Sequence, residues 1–427
     1  MNHSYPATWY RDTADSIVEY PALTQSLSTE VCVIGAGLAG LTTSLELLRL
    51  GKSVSLLESK RLAWGASGRN AGFVAPGFAE SLENIIARCG LAQAQRLYQY
   101  SKLGVNYVHD TIEVLNPDIK LGDGTIEVCR FNDPAINAAE ISEFNATFLE
   151  SQRFWTEEKT GSILNTSRYR CAVFDDAGFH IHPLNYAQAL ASQIQKLAGS
   201  IFENTQANCI RRKAGGFVIS TPNAEIEAQQ IVLCTSAYDF QLFPPLSRAL
   251  LPVATHIVVT EPLSEAINPV QTQAAIADTR RAGDYYRLLG DRRLQWGGKI
   301  TTSQRPPKNL DSIMGKSMRS VYPQLGDVGI DYRWSGLMAY CLHKMPLIGE
   351  IQPGIWSATG FGGQGLNTTA MAGILISSAI ANDDQRWRDF TPYSARWAGG
   401  VAGRAGVQLS YWAMQMRDWL DEIRGCS

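Results

Sequence analysis

Two patterns of hydrophobic spacing alternate along the chain. Residues 30–58 carry the sharpest sequence of them. EVCVIG is a short apolar run, GAGLAG interrupts it, Leu38, Leu41, Leu45 and Leu48 recur at helical spacing, and Gly51 closes the helix before KSVSLLE. That order predicts strand, glycine turn, helix, strand. Residues 61–80 hold too many glycines for either period, yet Trp64 and Phe73 suit a loop folded against a body. Helical spacing returns at 81–89, 91–115, 134–159 and 185–198. Short strands follow around turn signals, and the apolar run Ile231 to Cys234 predicts a return to the first sheet.

Between 252 and 335 strand-like runs dominate (ATHIVVT, YYRLLG, RRLQWGGKI, GIDYRW), with one helix at 309–322. This suits an antiparallel sheet in a second domain. Residues 355–381 repeat the opening order, as IWSAT runs into GFGGQG and then an apolar helix. The expected fold is therefore α/β: a discontinuous Rossmann-type nucleotide domain (1–80, 176–250, 336–385) with a mainly antiparallel sheet-plus-helix lobe (81–175, 251–335). A tail at 386–427 ends in an amphipathic helix, with Leu409, Trp412, Met416, Trp419, Leu420 and Ile423 on one stripe. The stripe is expected to dock on the protein's own body, the alternative being a partner or membrane surface.

Composition narrows the function classes. The 427 residues include 38 Lys+Arg against 40 Asp+Glu with no block of like charge, which argues against a nucleic-acid partner and against polybasic membrane binding. Eight cysteines (32, 89, 129, 171, 209, 234, 341, 426) form no C-x-x-C pair, and several sit in apolar runs. They read as buried thiols of a reducing compartment. No metal spacing is present among the six histidines. The N-terminal MNHSYPATWYRDTAD has no secretory pattern, and no apolar run is long enough to span a bilayer, so a cytoplasmic location without a transmembrane segment is expected.

Gly35, Gly37 and Gly40 stand in G-x-G-x-x-G spacing after a strand and before a helix. The first permits the turn, the second lets a pyrophosphate approach, and the third lets helix pack on strand. Glu58 ends the second strand, where its carboxylate can accept from an adenosine ribose. This turn alone does not distinguish NAD from FAD. The second glycine loop, Gly360, Gly362, Gly363 and Gly365, leads into a helix beginning at Leu366, whose positive end suits the negative N1–C2=O edge of a reduced flavin.

Taken in order, VCVIGAGLAGL, WGASGRNAG, GFHIHPLNYA, DYYRLL, RRLQWGG, GIDYRWSG and KMPLIGE with GFGGQGLNTTAMAG resemble the D-amino-acid-oxidase superfamily of FAD enzymes. Within it the chain is most similar to the gamma-glutamylputrescine oxidoreductases. The resemblance implies FAD at the junction of two domains, with Ser67, Arg69 and Asn70 as cofactor contacts and the backbone near Cys209 and Ile210 meeting the adenine. It implies oxidation of a small amine or amino acid at a carbon next to nitrogen, followed by imine hydrolysis and reoxidation by dioxygen or a quinone.

The chain departs from this pattern at two places. Gln364 stands where relatives usually have His. Lys299 in WGGKI matches a lysine that sarcosine-oxidase-like enzymes hold above the flavin, where a cation would stabilise developing superoxide charge; a strand lysine facing solvent is the other reading. The position where those oxidases attach flavin covalently falls near Gly336, and Cys341 does not match it, so non-covalent FAD is expected. His180 and His182 either line the cavity or form a packed pair. On the strand through Tyr285, Tyr286 and Arg287, either Tyr285 with Arg287 or Tyr286 alone faces the flavin. The pocket set adopted is Tyr286, Trp334 and Gln364, with Lys299 over the ring. Rival readings are a flavoprotein that modifies a peptide or protein side chain, a quinone-linked amino-acid dehydrogenase, a nicotinamide dehydrogenase and a non-catalytic FAD scaffold.

Overall fold

The computed structural model describes residues 4–131, 136–238, 241–303 and 305–425. Its first sheet is built on parallel strands in the order 200–202, 54–57, 27–34, 225–233, 355–359, with 347–352 added antiparallel at the edge. Val31, Cys32, Val33 and Ile34 are all buried, as a central strand covered on both faces requires. Helices Leu38–Arg49, Leu91–Leu115, Pro183–Lys196 and Leu366–Asn382 pack together over this sheet. Contact between two of them is close enough that a side chain at Gly104 would collide with the Asn367 carbonyl.

The second sheet has nine strands, all paired antiparallel except Ala275–Asp278 beside Lys120–Cys129. Helix Leu310–Val321 covers one face, burying Met314 and Met318 against Trp296 and Tyr286. The other face shares a core with the first sheet, in which Val33, Leu41, Phe179, Ile257, Val259 and Trp334 belong to one cluster. The two lobes are thus joined by packed side chains.

Three expected boundaries fall elsewhere. Phe73–Val74 already pairs with the second sheet, so that sheet begins before residue 80. The divisions at 175/176 and 335/336 each cut a continuous strand, Cys171–Ile181 and Ile330–Tyr340. The helix expected over 134–159, whose first two residues lie outside the described residues, is interrupted. Asn137 caps helix Ala138–Phe148, Leu149 turns left-handed, Arg153–Trp155 joins the second sheet, and Thr156 caps a new helix, Glu157–Leu164. With no Gly or Pro at the break, hydrophobic spacing runs straight through it; the capping side chains Asn137 and Thr156 mark the two starts.

Candidate active site

The first glycine turn has the geometry its spacing predicts. Gly35 has φ +107°, and a Cβ there would lie 2.6 Å from the Cys234 carbonyl oxygen. A Cβ on Gly37 would lie 2.8 Å from Ser67 Oγ, and one on Gly40 would collide with the Gly35 carbonyl. Each glycine is therefore required by a different neighbour. Ser67 Oγ accepts from Leu38 N at 3.0 Å, so the GASGRNAG loop caps the helix that begins at the turn. The remaining first-turn N–H groups have no partner within the helix and suit a pyrophosphate.

Glu58 closes the adjacent strand half-buried. Its carboxylate accepts from Ala36 N at 3.0 Å and from Lys60 N at 2.8 Å, while burial raises its pKa. The segment beside it is Glu203 to Ala207, since Thr205 N donates to the Glu58 carbonyl at 2.8 Å and Asn204 N to that of Lys60. Ile210, expected near the adenine, lies further along in a hairpin opposite Ile219, beside an exposed Cys209.

Arg69 and Asn70 hold their own loop. Arg69 donates to the carbonyls of Gly65 (3.2 Å) and Ser335 (3.0 Å) and to the Tyr238 hydroxyl (3.0 Å), tying the loop to the second sheet. Asn70 donates to the carbonyls of Ala66 and Ser67 and accepts from Gly72 N. Trp334 belongs to the same junction, as its Nε1 donates to the Arg69 carbonyl at 2.9 Å.

The second glycine loop faces this junction. Gly360 and Gly362 have φ +74° and +60°; a Cβ on Gly362 would lie 2.7 Å from Ala79 Cβ and 2.8 Å from the Tyr340 ring. Gly363 faces the Tyr340 hydroxyl, whereas Gly336 and Gly365 have open space where a Cβ would stand. Gly365 precedes helix Leu366–Asn382, and Leu366 is buried beneath it. Gln364 donates to the carbonyls of Ala75 (2.9 Å) and Pro76 (3.4 Å), and Asn367 to that of Gly77 (3.0 Å). Gln364 thus ties the two glycine-rich loops together rather than presenting its amide to the cavity.

Two expected pocket residues face elsewhere. Tyr286 is fully buried, stacked on Trp296 with ring centroids 4.2 Å apart, its hydroxyl bonded to those of Tyr169 (3.0 Å) and Tyr322 (2.9 Å). It belongs to the core under helix Leu310–Val321. Tyr285 and Arg287 occupy the junction face instead. Lys299 fails for another reason. The pairing between strands Leu251–Thr260 and Leu294–Thr301 shifts between Ala254 and His256, and Lys299 has φ +57°. This bulge re-aims the side chain, so Nζ sits 3.5 Å from buried Asp284 in a groove beneath the C-terminal helix.

The residues that do gather near the second glycine loop are Phe73, Tyr285, Met338 and Tyr340. The Phe73 and Tyr285 rings stand 6.0 Å apart, Tyr285 Oη pairs with Thr255 Oγ1 at 2.9 Å, and Met338 and Tyr340 both approach Gly363. Tyr411 of the C-terminal helix lies within electrostatic reach of Tyr285 and Tyr340. Burial raises the pKa of all three phenols, Tyr340 to about 12, so they stay neutral near pH 7. Tyr285 was legible as one alternative of a strand alternation. Tyr340, Met338 and Tyr411 carried no signal, because only the sheet bend and the helix seat bring them there.

Arg287 is fully buried and forms no ion pair with a carboxylate among the described residues. It contacts His180 Nδ1 (2.7 Å), the Ile181 carbonyl (3.1 Å) and Tyr10 Oη (2.7 Å). His180 must accept at Nδ1 from the guanidinium, so its proton is on Nε2, facing the Gln273 carbonyl at 2.5 Å. Burial and the Arg287 charge push its pKa down to about 3. His182 caps helix Pro183–Lys196 through Nδ1, which accepts from Asn185 N. Each histidine is buried and hydrogen-bonded to partners of its own.

A family model described as FAD dependent oxidoreductase (DAO) matches residues 30–379. The chain belongs to that family, and it is a FAD-dependent oxidoreductase. It is 33% identical to a probable oxidoreductase OrdL of Haemophilus influenzae, over 94% of this chain and 95% of that protein. Gamma-glutamylputrescine oxidoreductase of Escherichia coli is 28% identical, over 90% and 91%. Among solved structures, L-proline dehydrogenase from P. horikoshii superposes with a TM-score of 0.72 at 16% identity, over 87% and 98%, and glycine oxidase from Bacillus cereus with 0.72 at 17%, over 86% and 99%; these show the shared fold. The glycine cradle and the open space at Gly336 and Gly365 fit FAD.

Proposed function

We propose that this FAD enzyme oxidises the C–N bond of a small aliphatic amine, with a gamma-glutamyl polyamine as the leading substrate class. The observation that carries the reading is the grouping of Phe73, Tyr285 and Tyr340 against the second glycine loop, where a substrate would lie between the aromatic wall and the cofactor. When bound, FAD accepts a hydride equivalent from the carbon next to nitrogen. The chain's residues position and desolvate: the phenols are neutral, hold an amine without forming an ion pair, and can take a distal ammonium by cation–π contact. Similarity to gamma-glutamylputrescine oxidoreductase supports the polyamine class. The first glycine helix and Glu58 would hold the pyrophosphate and ribose, and Glu203 to Ala207 would border the adenine.

Attachment is proposed to be non-covalent. Gly336 offers no side chain, and Cys341 Sγ packs where a Gly360 Cβ would be 2.7 Å away. The buried thiols Cys32, Cys234 and Cys341, each pushed up to about 12 by burial, suit a reducing, cytoplasmic setting. With Lys299 turned toward Asp284, no cation from this strand favours dioxygen over a quinone as acceptor.

The test is anaerobic titration of the purified yellow protein with gamma-glutamylputrescine, simple amines and amino acids. Bleaching of the flavin band by an amine is the expected result. An enzyme that stays oxidised with the whole panel overturns the substrate class.

A further inference from the structure

The C-terminal helix, Gly400–Gly425, is seated the opposite way to the expectation from its apolar stripe. Its acidic residues face the body. Asp418 accepts from the backbone N of Arg281 (3.2 Å) and Ala282 (3.0 Å) and from the Arg281 guanidinium, Asp421 pairs with Arg281, and Glu422 pairs with Arg130, Arg168 and Arg280. Gln408 accepts from Thr301 Oγ1 and Thr302 N. The apolar stripe is left outside: Val401, Leu409, Trp412, Met416 and Trp419 are 74, 61, 59, 60 and 61% exposed, with Trp397 just before the helix at 69%. At 100° per residue these five helix positions fall within an 80° arc, a continuous ridge on the order of 30 Å long.

We infer that this ridge lies in the interface of an anionic lipid bilayer, parallel to its surface. Three features select lipid. Tryptophans interleaved with Leu, Met and Val have the amphipathic character that favours the headgroup boundary. All three carboxylates of the helix are turned inward and neutralised by arginines of the body. Among the described residues no ion pair offsets the bases flanking the ridge: Arg396 and Arg417 are exposed, and Arg305 and Lys308 are exposed in the segment whose Pro307 shares a groove with Trp412. A second copy of the chain fits less well, since pairing two such ridges would gather the exposed bases of both copies at one interface while the carboxylates of both helices stay engaged by their own bodies. No helix among the described residues is long and apolar enough to cross a membrane, so the geometry is one of lying on the surface.

Flotation of the intact holoenzyme with vesicles tests this, the flavin absorbance marking the protein. The protein is expected to float with phosphatidylcholine–phosphatidylglycerol vesicles, to bind far less to pure phosphatidylcholine, and to be released by salt. W412S/W419S is expected to weaken binding about tenfold or more while keeping its flavin, because both side chains face solvent. Absence of flotation with either vesicle overturns the inference. So does a concentration-dependent dimer in sedimentation that W412S/W419S abolishes. Neither result depends on which amine is oxidised, so failure of the substrate reading leaves this test intact.

Discussion

Side chains whose environment is set by one neighbour were the most legible. Gly35, Gly37 and Gly40 could be assigned from spacing, because the strand–turn–helix pattern around them is itself in the sequence, although the atoms that exclude a Cβ at Gly35 and Gly37, the Cys234 carbonyl and the Ser67 hydroxyl, come from distant segments. His180 was not legible, since the Arg287 guanidinium that fixes its tautomer arrives from 107 residues away. That contact has a measurable consequence. His180 stays neutral in the fold down to about pH 3, whereas an unfolded chain protonates its histidine near 6.5. The stability from keeping it neutral is complete above about 6.5 and is lost as pH falls toward the folded value, with a slope of up to about 1.4 kcal/mol per pH unit. His180→Gln keeps an acceptor for Arg287 and a donor for the Gln273 carbonyl without a titrating ring. Urea midpoints at pH 7 and pH 5 should therefore diverge more for the wild type than for the variant; parallel losses would refute the assignment.

At the scale of elements, period and face are different kinds of information. The strand at Tyr285–Leu288 and the helix at 400–425 were both predictable as elements, and alternation correctly separated Tyr285 and Arg287 from Tyr286. Neither pattern says which face meets the cofactor domain; that was decided by where helix Leu310–Val321 packs. At Lys299 even the alternation failed, because a bulge adds a residue to the register and reverses the face. The C-terminal helix shows the converse case, an apolar stripe outward because specific charge pairs hold the polar face inward. Asp418, almost wholly buried, is central to that seat, as it satisfies two backbone N–H groups and a guanidinium. Asp418→Ala would leave the Arg281 and Ala282 backbone N–H groups without their acceptor, the Arg281 guanidinium keeping Asp421, and cost about 2–3 kcal/mol of local docking stability. Limited trypsin digestion should then cut at Arg404 and Arg417 at lower protease concentration than in the wild type, with the main body intact. Unchanged cleavage would mean the helix is held by something other than this carboxylate.

For the molecule as a whole, the chain threads repeatedly between two sheets that share one hydrophobic cluster, besides the separate cores under helix Leu310–Val321 and on the far face of the first sheet. Val33 and Leu41 of the first sheet and its helix belong with Ile257, Val259 and Trp334 of the second. Arg69 bonds the first lobe's loop to the Ser335 carbonyl, and Trp334 bonds back to the Arg69 carbonyl. Separating the lobes would therefore expose apolar surface on both and break both hydrogen bonds, which favours a single cooperative transition over two. A cofactor held by residues of both lobes would bind only when both are in place and would stabilise the whole molecule by mass action, about 4 kcal/mol at a thousandfold excess over its Kd. Heating holoenzyme while following tryptophan emission and flavin release should give coincident curves, and added FAD should raise both midpoints together. Trp334→Phe removes one of the bonds across the junction and should lower the FAD-dependent part of that rise. A flavin released well before the tryptophan transition, or two transitions of which one ignores FAD, would show that the lobes unfold independently and that the cofactor does not bridge them.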